Sequence, residues 1–461
     1  MHKERAHRIW NRRMNRRDTL WLLSTTTAGT LASTSLTGCA VNPVTGEKQL
    51  MLMSESQEIA LDQSQSPHQF SADYGAVQDD EVNDYITKVG DELASRSHRP
   101  KMPYNYRGVN APHVNAYTFP GGSMAITRGI LLGMENEAEL AGLLGHELGH
   151  VNARHSAERM TKGMLTQVAL AGASMYAGSQ DPALGKLTQM LGGFASSALL
   201  AHYSRDNERQ ADALGMEYMT RPGYNPSGMT DLMDLLVTSS KHKPSALQVM
   251  FSTHPMGAER LESARLAIDN KYASFQDAPI NRERYMDTLA RLRRQKPTVD
   301  ALQDASEEMR GKNFDGAERD IRTALNHLPT DYAALVMMSK VQLAQGRKQE
   351  ALRFAEDAKR VYPEEAQALQ VASISNLSMK RYSRAQEDIQ RYEALLPGNP
   401  GTAFLSGIAY EGMNDKKRAS NAYTAYLRRV KKGDQAQYAY KRLVNWGVIK
   451  PPQKQQQQRR P

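Results

Sequence analysis

His146-Glu147-Leu148-Gly149-His150 sets two imidazoles four residues apart, with a carboxylate beside the first. On a helix that spacing stacks both rings on one face, a turn apart, where they can grip a single Zn2+. Glu147 is then the general base, placed to take a proton from the water such an ion activates. A third ligand is required, and its position sorts the possibilities. Where H-E-x-x-H continues to a third histidine as x-x-G-x-x-H, the key positions are Gly and His; here they are Ala153 and Ser156, which excludes that pattern. His155 would coordinate only if the helix broke beside it, so it reads as a structural or supporting residue. Downstream, Glu208 and Asp212 stand one helical turn apart. Glu208 can close a site of two histidines and one carboxylate, while Asp212 accepts a hydrogen bond from a ligand imidazole and fixes its tautomer. The plain alternative for that segment is a charged surface helix.

These residues need elements to hold them. Glu135–His155 reads as one helix, with Leu140, Leu143, Leu144, Leu148 and Val151 at helical spacing and acidic residues at its start. Tyr104–Val109 and Ser123–Thr127 alternate as strands do, and Pro120-Gly121-Gly122 is a turn just before the second. Met164–Ala177 and Leu187–Leu200 are apolar runs too short to span a bilayer and predict a packed helical hairpin. The expected fold for 75–275 is an α+β zincin-like metallopeptidase domain, mostly helical with a small sheet.

Behind it, a charged linker at 276–297 leads into a repeat. Ala317, Ala351, Ala385 and Ala419 recur every 34 residues, as do Pro329, Pro363 and Pro397. Twelve residues before each alanine stands a small residue: Ala305, Ser339, Ser373 and Gly407. A 34-residue period with small side chains where two helices cross is the tetratricopeptide signature. Four units and a capping helix therefore fill 298–447 as an all-α superhelix, with Tyr438, Leu443 and Trp446 available to cover its end. The tail, 448–461, is low-complexity and expected to be disordered.

The N-terminus is an address. Residues 1–38 carry seven Lys and Arg against Glu4 and Asp18, followed by an uncharged stretch, the layout of a signal peptide. Asn15-Arg16-Arg17-Asp18-Thr19-Leu20 resembles a twin-arginine signal. Leu36-Thr37-Gly38-Cys39 resembles a lipobox, which makes Cys39 the lipidated first residue and 39–74 an anchor and N-terminal segment. The chain of 461 residues is 40% hydrophobic and 24% charged with a single Cys, which excludes a disordered or disulfide-stapled protein. Its net charge of +9 comes largely from the leader, so nucleic acid is not an expected partner.

Taken together, the H-E-x-x-H motif and Glu208-x-x-x-Asp212 resemble the HtpX/Oma-type zinc metallopeptidases, a gluzincin group. Asn42-Pro43-Val44-Thr45-Gly46, Asn115-Ala116-Tyr117, Pro120-Gly121-Gly122, Thr253-His254-Pro255 and Arg260 extend the resemblance. With the repeats, the chain is similar to periplasmic BepA/YfgC-like peptidases, here as a lipoprotein. The resemblance implies one Zn2+ per chain on His146, His150 and Glu208, with Glu147 catalytic and Asp212 in support. His254 or Arg260 is then a candidate oxyanion helper, and His254 a candidate gate over the zinc's open position. Substrate would pair in extended form with the strand near Ala116–Pro120 or Ser123–Thr127. The implied function is a periplasmic endopeptidase, lipid-anchored to the outer membrane, that cleaves misfolded or misassembled envelope proteins. Its repeats would dock partners such as the outer-membrane assembly machinery. The competing reading is a lipid-tethered scaffold or chaperone with a latent or structural zinc site, for which Glu147 would have no use.

Overall fold

The computed structural model describes residues 39–163, 202–242 and 244–450. The leader, the apolar runs at 164–177 and 187–200, and the tail from 451 lie outside the described residues. Of the first unit, Met1–Leu52, a hairpin is described: β1 (Cys39–Val41) pairs antiparallel with β2 (Lys48–Leu50). Asn42 Oδ1 accepts from the N–H groups of Val44 and Thr45 at 2.8 and 3.2 Å. Gly46 closes the turn at φ +71°, where a β-carbon would be strained. The Asn42–Gly46 motif is thus a turn former.

The second unit starts at Met53. Its first helix, α1 (Glu55–Ala72), opens on a reciprocal cap between Ser54 and Gln57. α2 (Asp80–Ala94) opens on Asp79, whose side chain accepts from the Val82 N–H. A three-stranded sheet follows: β3 (Asn105–Val109), β4 (Ala116–Thr118) and β5 (Ser123–Thr127), in the order β3-β5-β4. β5 runs parallel to β3 and antiparallel to β4. As the central strand it has both edges taken. Of the two strands expected to receive substrate, Ser123–Thr127 is therefore excluded, and the edge strand β4 is left.

After α3 (Arg128–Leu131) comes α4 (Glu137–Asn152), every residue of which is buried. It lies beneath β4, with α2, α5 (Arg205–Thr220) and α6 (Ser227–His242) packed around it. The approach of α4 to α5 depends on missing side chains. A β-carbon on Gly145 would stand 2.8 Å from Gly215 O, and one on Gly149 2.9 Å from Ala211 Cα. α4 is shorter than the helix expected over 135–155: it ends at Ala153, Arg154 turns to φ +59°, and helix resumes at 155. An arginine tolerates that backbone because its guanidinium is pinned, Nε to Glu58 Oε1 at 3.0 Å and Nη2 to Met53 O at 2.7 Å. Arg99 completes the knot, binding Glu58 Oε2 at 2.9 Å and Val151 O at 2.8 Å. α7 (Pro244–Thr253) and α8 (Ala258–Lys271) complete this part.

The stretch expected as a linker is folded. It carries α9 (Arg282–Thr288) and α10 (Ala290–Arg293), and fully buried Tyr285 donates to Leu131 O at 2.7 Å. Four helix pairs follow: α11 (Lys296–Arg310) with α12 (Phe314–His327), α13 (Tyr332–Ala344) with α14 (Lys348–Val361), α15 (Ala366–Ser378) with α16 (Tyr382–Leu395), and α17 (Pro400–Gly412) with α18 (Lys416–Arg429). The second helices start 34 residues apart. Ala305, Ala317, Ser339, Ala351, Ser373, Ala385 and Ala419 are all fully buried, and a β-carbon on Gly407 would overlap the Tyr423 ring. α19 (Asp434–Asn445) closes the row with Leu443 buried and Trp446 stacked on Tyr423, while Tyr438 stays 40% exposed.

The helix pairs pack on the domain before them through polar contacts. Arg128 Nη1 meets Asp331 Oδ2 at 2.6 Å with both side chains buried. Gln303 Nε2 donates to Pro112 O at 2.8 Å, Ser71 donates to Glu365, and the Lys340 ammonium lies 4.9 Å from the Tyr74 ring centroid. No helix among the described residues is long and apolar enough to cross a membrane.

Candidate metal centre

Helix α4 delivers His146, Glu147 and His150; α5 delivers Glu208 and Asp212; His254 follows directly on α7; and Arg260 comes from α8. One donor atom each from His146, His150, Glu208 and His254 lies within 4.8 Å of the others, and all four residues are buried. The two ligand-spaced histidines bring their Nε2 atoms to 3.1 Å. Glu208 sets Oε2 3.6 Å from His146 Nε2 and Oε1 3.4 Å from His150 Nε2. His254 Nδ1 is 3.1 Å from Glu208 Oε1 and 3.4 Å from His146 Nε2. The close approach at Gly145 and Gly149 is what lets α5 carry its carboxylates this far toward the imidazoles.

A carboxylate only accepts, so the 2.9 Å contact from His146 Nδ1 to Asp212 Oδ1 places the hydrogen on Nδ1 and turns the Nε2 lone pair into the cluster. Burial pushes Asp212 and Glu208 up. The surrounding groups outweigh it: hydrogen bonds from His146 and Arg260 hold Asp212 low, and His254 and His150 hold Glu208 well below the usual carboxylate range. Arg260 ties the two together, with Nε and Nη2 each 2.7 Å from Asp212 oxygens and Nη1 2.6 Å from Glu208 Oε2 and 2.9 Å from Pro255 O. Its donors are engaged by Asp212, Glu208 and the Pro255 carbonyl, which favours a holding role for Arg260 over that of the oxyanion helper.

Glu147 is fully buried, and among the described residues neither carboxylate oxygen has a hydrogen-bond partner. Its nearest cation-capable neighbour is His254 Nε2, 3.7 Å from Oε1. Burial pushes its carboxyl up, against the pull of His254 and His146. Imidazole nitrogens and a carboxylate, gathered at this spacing with a further unpartnered carboxylate beside them, form a donor set suited to Zn2+.

The break at Ala153 does release His155, but toward the outer side of His150: its Nδ1 lies 2.9 Å from His150 Nδ1, and it does not join the donor cluster. Tyr203 was not legible as a site residue. Its ring stacks on His150 at 3.8 Å between centroids, its hydroxyl meets Ser156 Oγ at 2.9 Å, and its N–H donates to Thr253 O at 3.1 Å. It thereby ties the His150 ring to the segment that ends at His254. No motif marks it beyond its place immediately before the Ser204 helix cap.

Residues 80–268 match the model of peptidase family M48. The chain is 24% identical over 392 residues to a beta-barrel assembly-enhancing protease of Yersinia pestis, covering 78% of this chain and 79% of that one. It is 27% identical over 194 residues to the protein of the same name in Escherichia coli (strain K12), covering 41% of this chain and 39% of the relative. Metalloprotease YcaL of the same strain is 30% identical over 163 residues, 35% of this chain and 61% of its own length. Residues 80–268, with their helix-borne histidines and buried carboxylates, carry the match to peptidase family M48, and the chain is a zinc metalloendopeptidase.

Proposed function

We propose that this chain is an envelope endopeptidase in which His146, His150 and Glu208 hold one Zn2+ and Glu147 is the general base. One observation carries the reading: a buried carboxylate with two unpartnered oxygens stands beside the donor cluster. Leaving such a group unpaired costs several kcal/mol, roughly, which a purely structural metal site would have no reason to bear. When bound, the zinc supplies Lewis acidity, which acidifies water and polarises a peptide carbonyl. Glu147 accepts the proton of the attacking water on Oε1 or Oε2 and returns it to the leaving amine nitrogen as the C–N bond breaks. Its burial makes it more basic than an exposed carboxylate, which favours its accepting that proton. Asp212 and Arg260 hold His146 and Glu208 in place throughout.

The substrate's backbone is read at β4. Phe119 N–H donates to Ser123 O and Thr127 N–H to Asn115 O, so these residues face β5. The intervening Ala116 and Thr118 turn their N–H and C=O the other way, and an extended chain pairs there. Recognition by backbone suits unfolded proteins of many sequences. The 34-residue helix period and its buried small residues support four tetratricopeptide repeats with a capping helix at 298–447, docking partners beside the peptidase domain of 75–275. The names of the relatives point toward β-barrel assembly, so misassembled outer-membrane proteins are the substrates we assign, with the assembly machinery as the repeats' partner. The leader and lipobox support export of the chain and its attachment through Cys39 to the outer membrane. The test compares cleavage of an unfolded barrel protein and zinc content in the parent, Glu147→Gln and Glu208→Gln. The parent cleaves with one zinc per chain. Glu147→Gln keeps the zinc and loses about 10²–10⁴-fold in rate, and Glu208→Gln loses both. Equal cleavage by Glu147→Gln removes the peptidase assignment.

His254 favours a second state of the same site. Four donors make the closed set of a latent or structural zinc, whereas a catalytic zinc keeps one position for water. We assign His254 as the gate that leaves when substrate enters. His254→Ala then raises cleavage of the unfolded barrel protein; unchanged or lower cleavage counts against the gate.

A further inference from the structure

Asp212 fixes the orientation of His146, but among the described residues no carboxylate stands behind the second ligand, His150. Its Nδ1 meets His155 Nδ1 at 2.9 Å, and His155 Nε2 meets Gln210 Oε1 at 3.0 Å. Two imidazoles in contact through like nitrogens share one hydrogen, so one ring must donate and the other accept. Which does so is decided at the far end of the chain of contacts. A side-chain carbonyl oxygen only accepts, so His155 carries its hydrogen on Nε2. Both rings are at most 1% exposed, and an imidazole offers a lone pair to a metal only when neutral. A neutral imidazole has one N–H, which leaves a lone pair on His155 Nδ1 and obliges His150 to donate from its own Nδ1. His150 Nε2 is then bare, facing Glu208 Oε1 at 3.4 Å. The opposite order, with an amide N–H against His155 Nε2, would reverse every step and put a hydrogen on the very nitrogen the metal needs.

Resting on the assignment of His150 as a zinc ligand, we propose that His155 and Gln210 are positioning residues that set the tautomer of His150, as Asp212 does for His146. The half-buried Gln210 sits on α5 two residues after Glu208. One helix thus supplies a ligand, Asp212 for the first imidazole and Gln210 for the relay to the second. The αL turn at Arg154 is what brings His155 back against His150, giving the knot of Glu58, Arg99 and Arg154 a purpose at the metal.

The experiment measures zinc affinity of the full chain by chelator competition, together with the visible absorption of the Co2+-loaded protein, for His155→Leu, His155→Asn, Gln210→Met and Gln210→Glu. His155→Leu and Gln210→Met weaken zinc by about 10–100-fold and shift the cobalt bands. His155→Asn restores an acceptor where Nδ1 stood and stays within a few-fold of the parent, roughly, as does Gln210→Glu, which can only accept. Parent-like affinity and cobalt bands in both His155→Leu and Gln210→Met overturn the proposal; so does loss in the Asn and Glu variants equal to that in Leu and Met. Should His155→Leu not fold, Gln210→Met against Gln210→Glu decides alone. A parent chain that takes up no zinc overturns the metal site itself, an outcome distinct from a parent that binds zinc with affinity indifferent to these four changes.

Discussion

Arg128 and Asp331 join the peptidase domain to the helix pairs through one ion pair, and substituting them measures how firmly the two are coupled. Arg128 Nη1 is 2.6 Å from Asp331 Oδ2, Nη2 is 3.4 Å from Oδ1, and the side chains are 3% and 2% exposed. Arg128 Nε also donates to Asn110 O at 3.0 Å, so the guanidinium cannot swing to water without losing that bond too. Asp331 also serves its own helix, since its Oδ1 accepts the Ala334 N–H at 2.8 Å and caps α13. Asp331→Asn keeps an oxygen for the cap and removes only the charge. It leaves a buried arginine uncompensated, at a cost of about 3–5 kcal/mol. Asp331→Ala adds the lost cap, about 1 kcal/mol more. In Arg128→Met with Asp331→Asn no charge is left stranded, and the double variant falls within about 1 kcal/mol of the parent.

Urea unfolding supplies the assay, because the chain holds three Trp and two of them, Trp10 and Trp21, lie in the leader. With residues 1–38 removed, Trp446 alone reports on the far end of the helix row, and far-UV circular dichroism reports on the whole. The coupling energy from the double-mutant cycle is expected above about 2 kcal/mol. Asp331→Asn costing under about 1 kcal/mol, or a double variant as costly as the two singles together, would refute the claim that this pair holds the repeats to the peptidase.

Two further outcomes follow from the packing. Gly149→Ala places a β-carbon 2.9 Å from the backbone of Ala211, forcing α5 away from α4. It should lower stability by about 1–3 kcal/mol and zinc affinity with it, read by thermal unfolding with and without the metal; unchanged zinc uptake would mean that Glu208 follows α4 rather than being held off by it. Burial pushes the Lys340 ammonium down to about 8, partly offset by Asp73. Below that pH both folded and unfolded chains hold the proton. Between about 8 and the ordinary value of 10.5 the unfolded chain binds more protons, so Lys340 makes stability rise with pH across that window. Lys340→Met removes that rise, and the difference in melting temperature between variant and parent should narrow from pH 7.5 to pH 10; a constant difference would place the ammonium in water.

What the sequence makes legible here is whatever a short period or a fixed spacing can encode. His146 and His150 need only a helix to meet, and Glu208 and Asp212 need only another. The alanine columns announce themselves because each crossing repeats the same steric demand at 34-residue intervals. The rest of the site depends on pairs that no period links. Glu58 meets Arg154 across 96 residues and Asp331 meets Arg128 across 203. Arg154 is the clearest case, because its φ of +59° falls where glycine or asparagine would be the usual signal. The turn exists only because Glu58 and Met53 O hold the guanidinium, and nothing local to Ala153-Arg154-His155 foretells it. A reading that runs α4 on through 155 therefore misplaces His155, and it was the position of that ring, not its type, that decided its role. The stretch 276–297 differs for the converse reason: its charges read as a solvated linker, yet half-exposed Arg284 pairs with buried Glu137 and uncharged Tyr285 is sealed beneath α3, so a charged stretch is anchored here by contacts its composition does not announce.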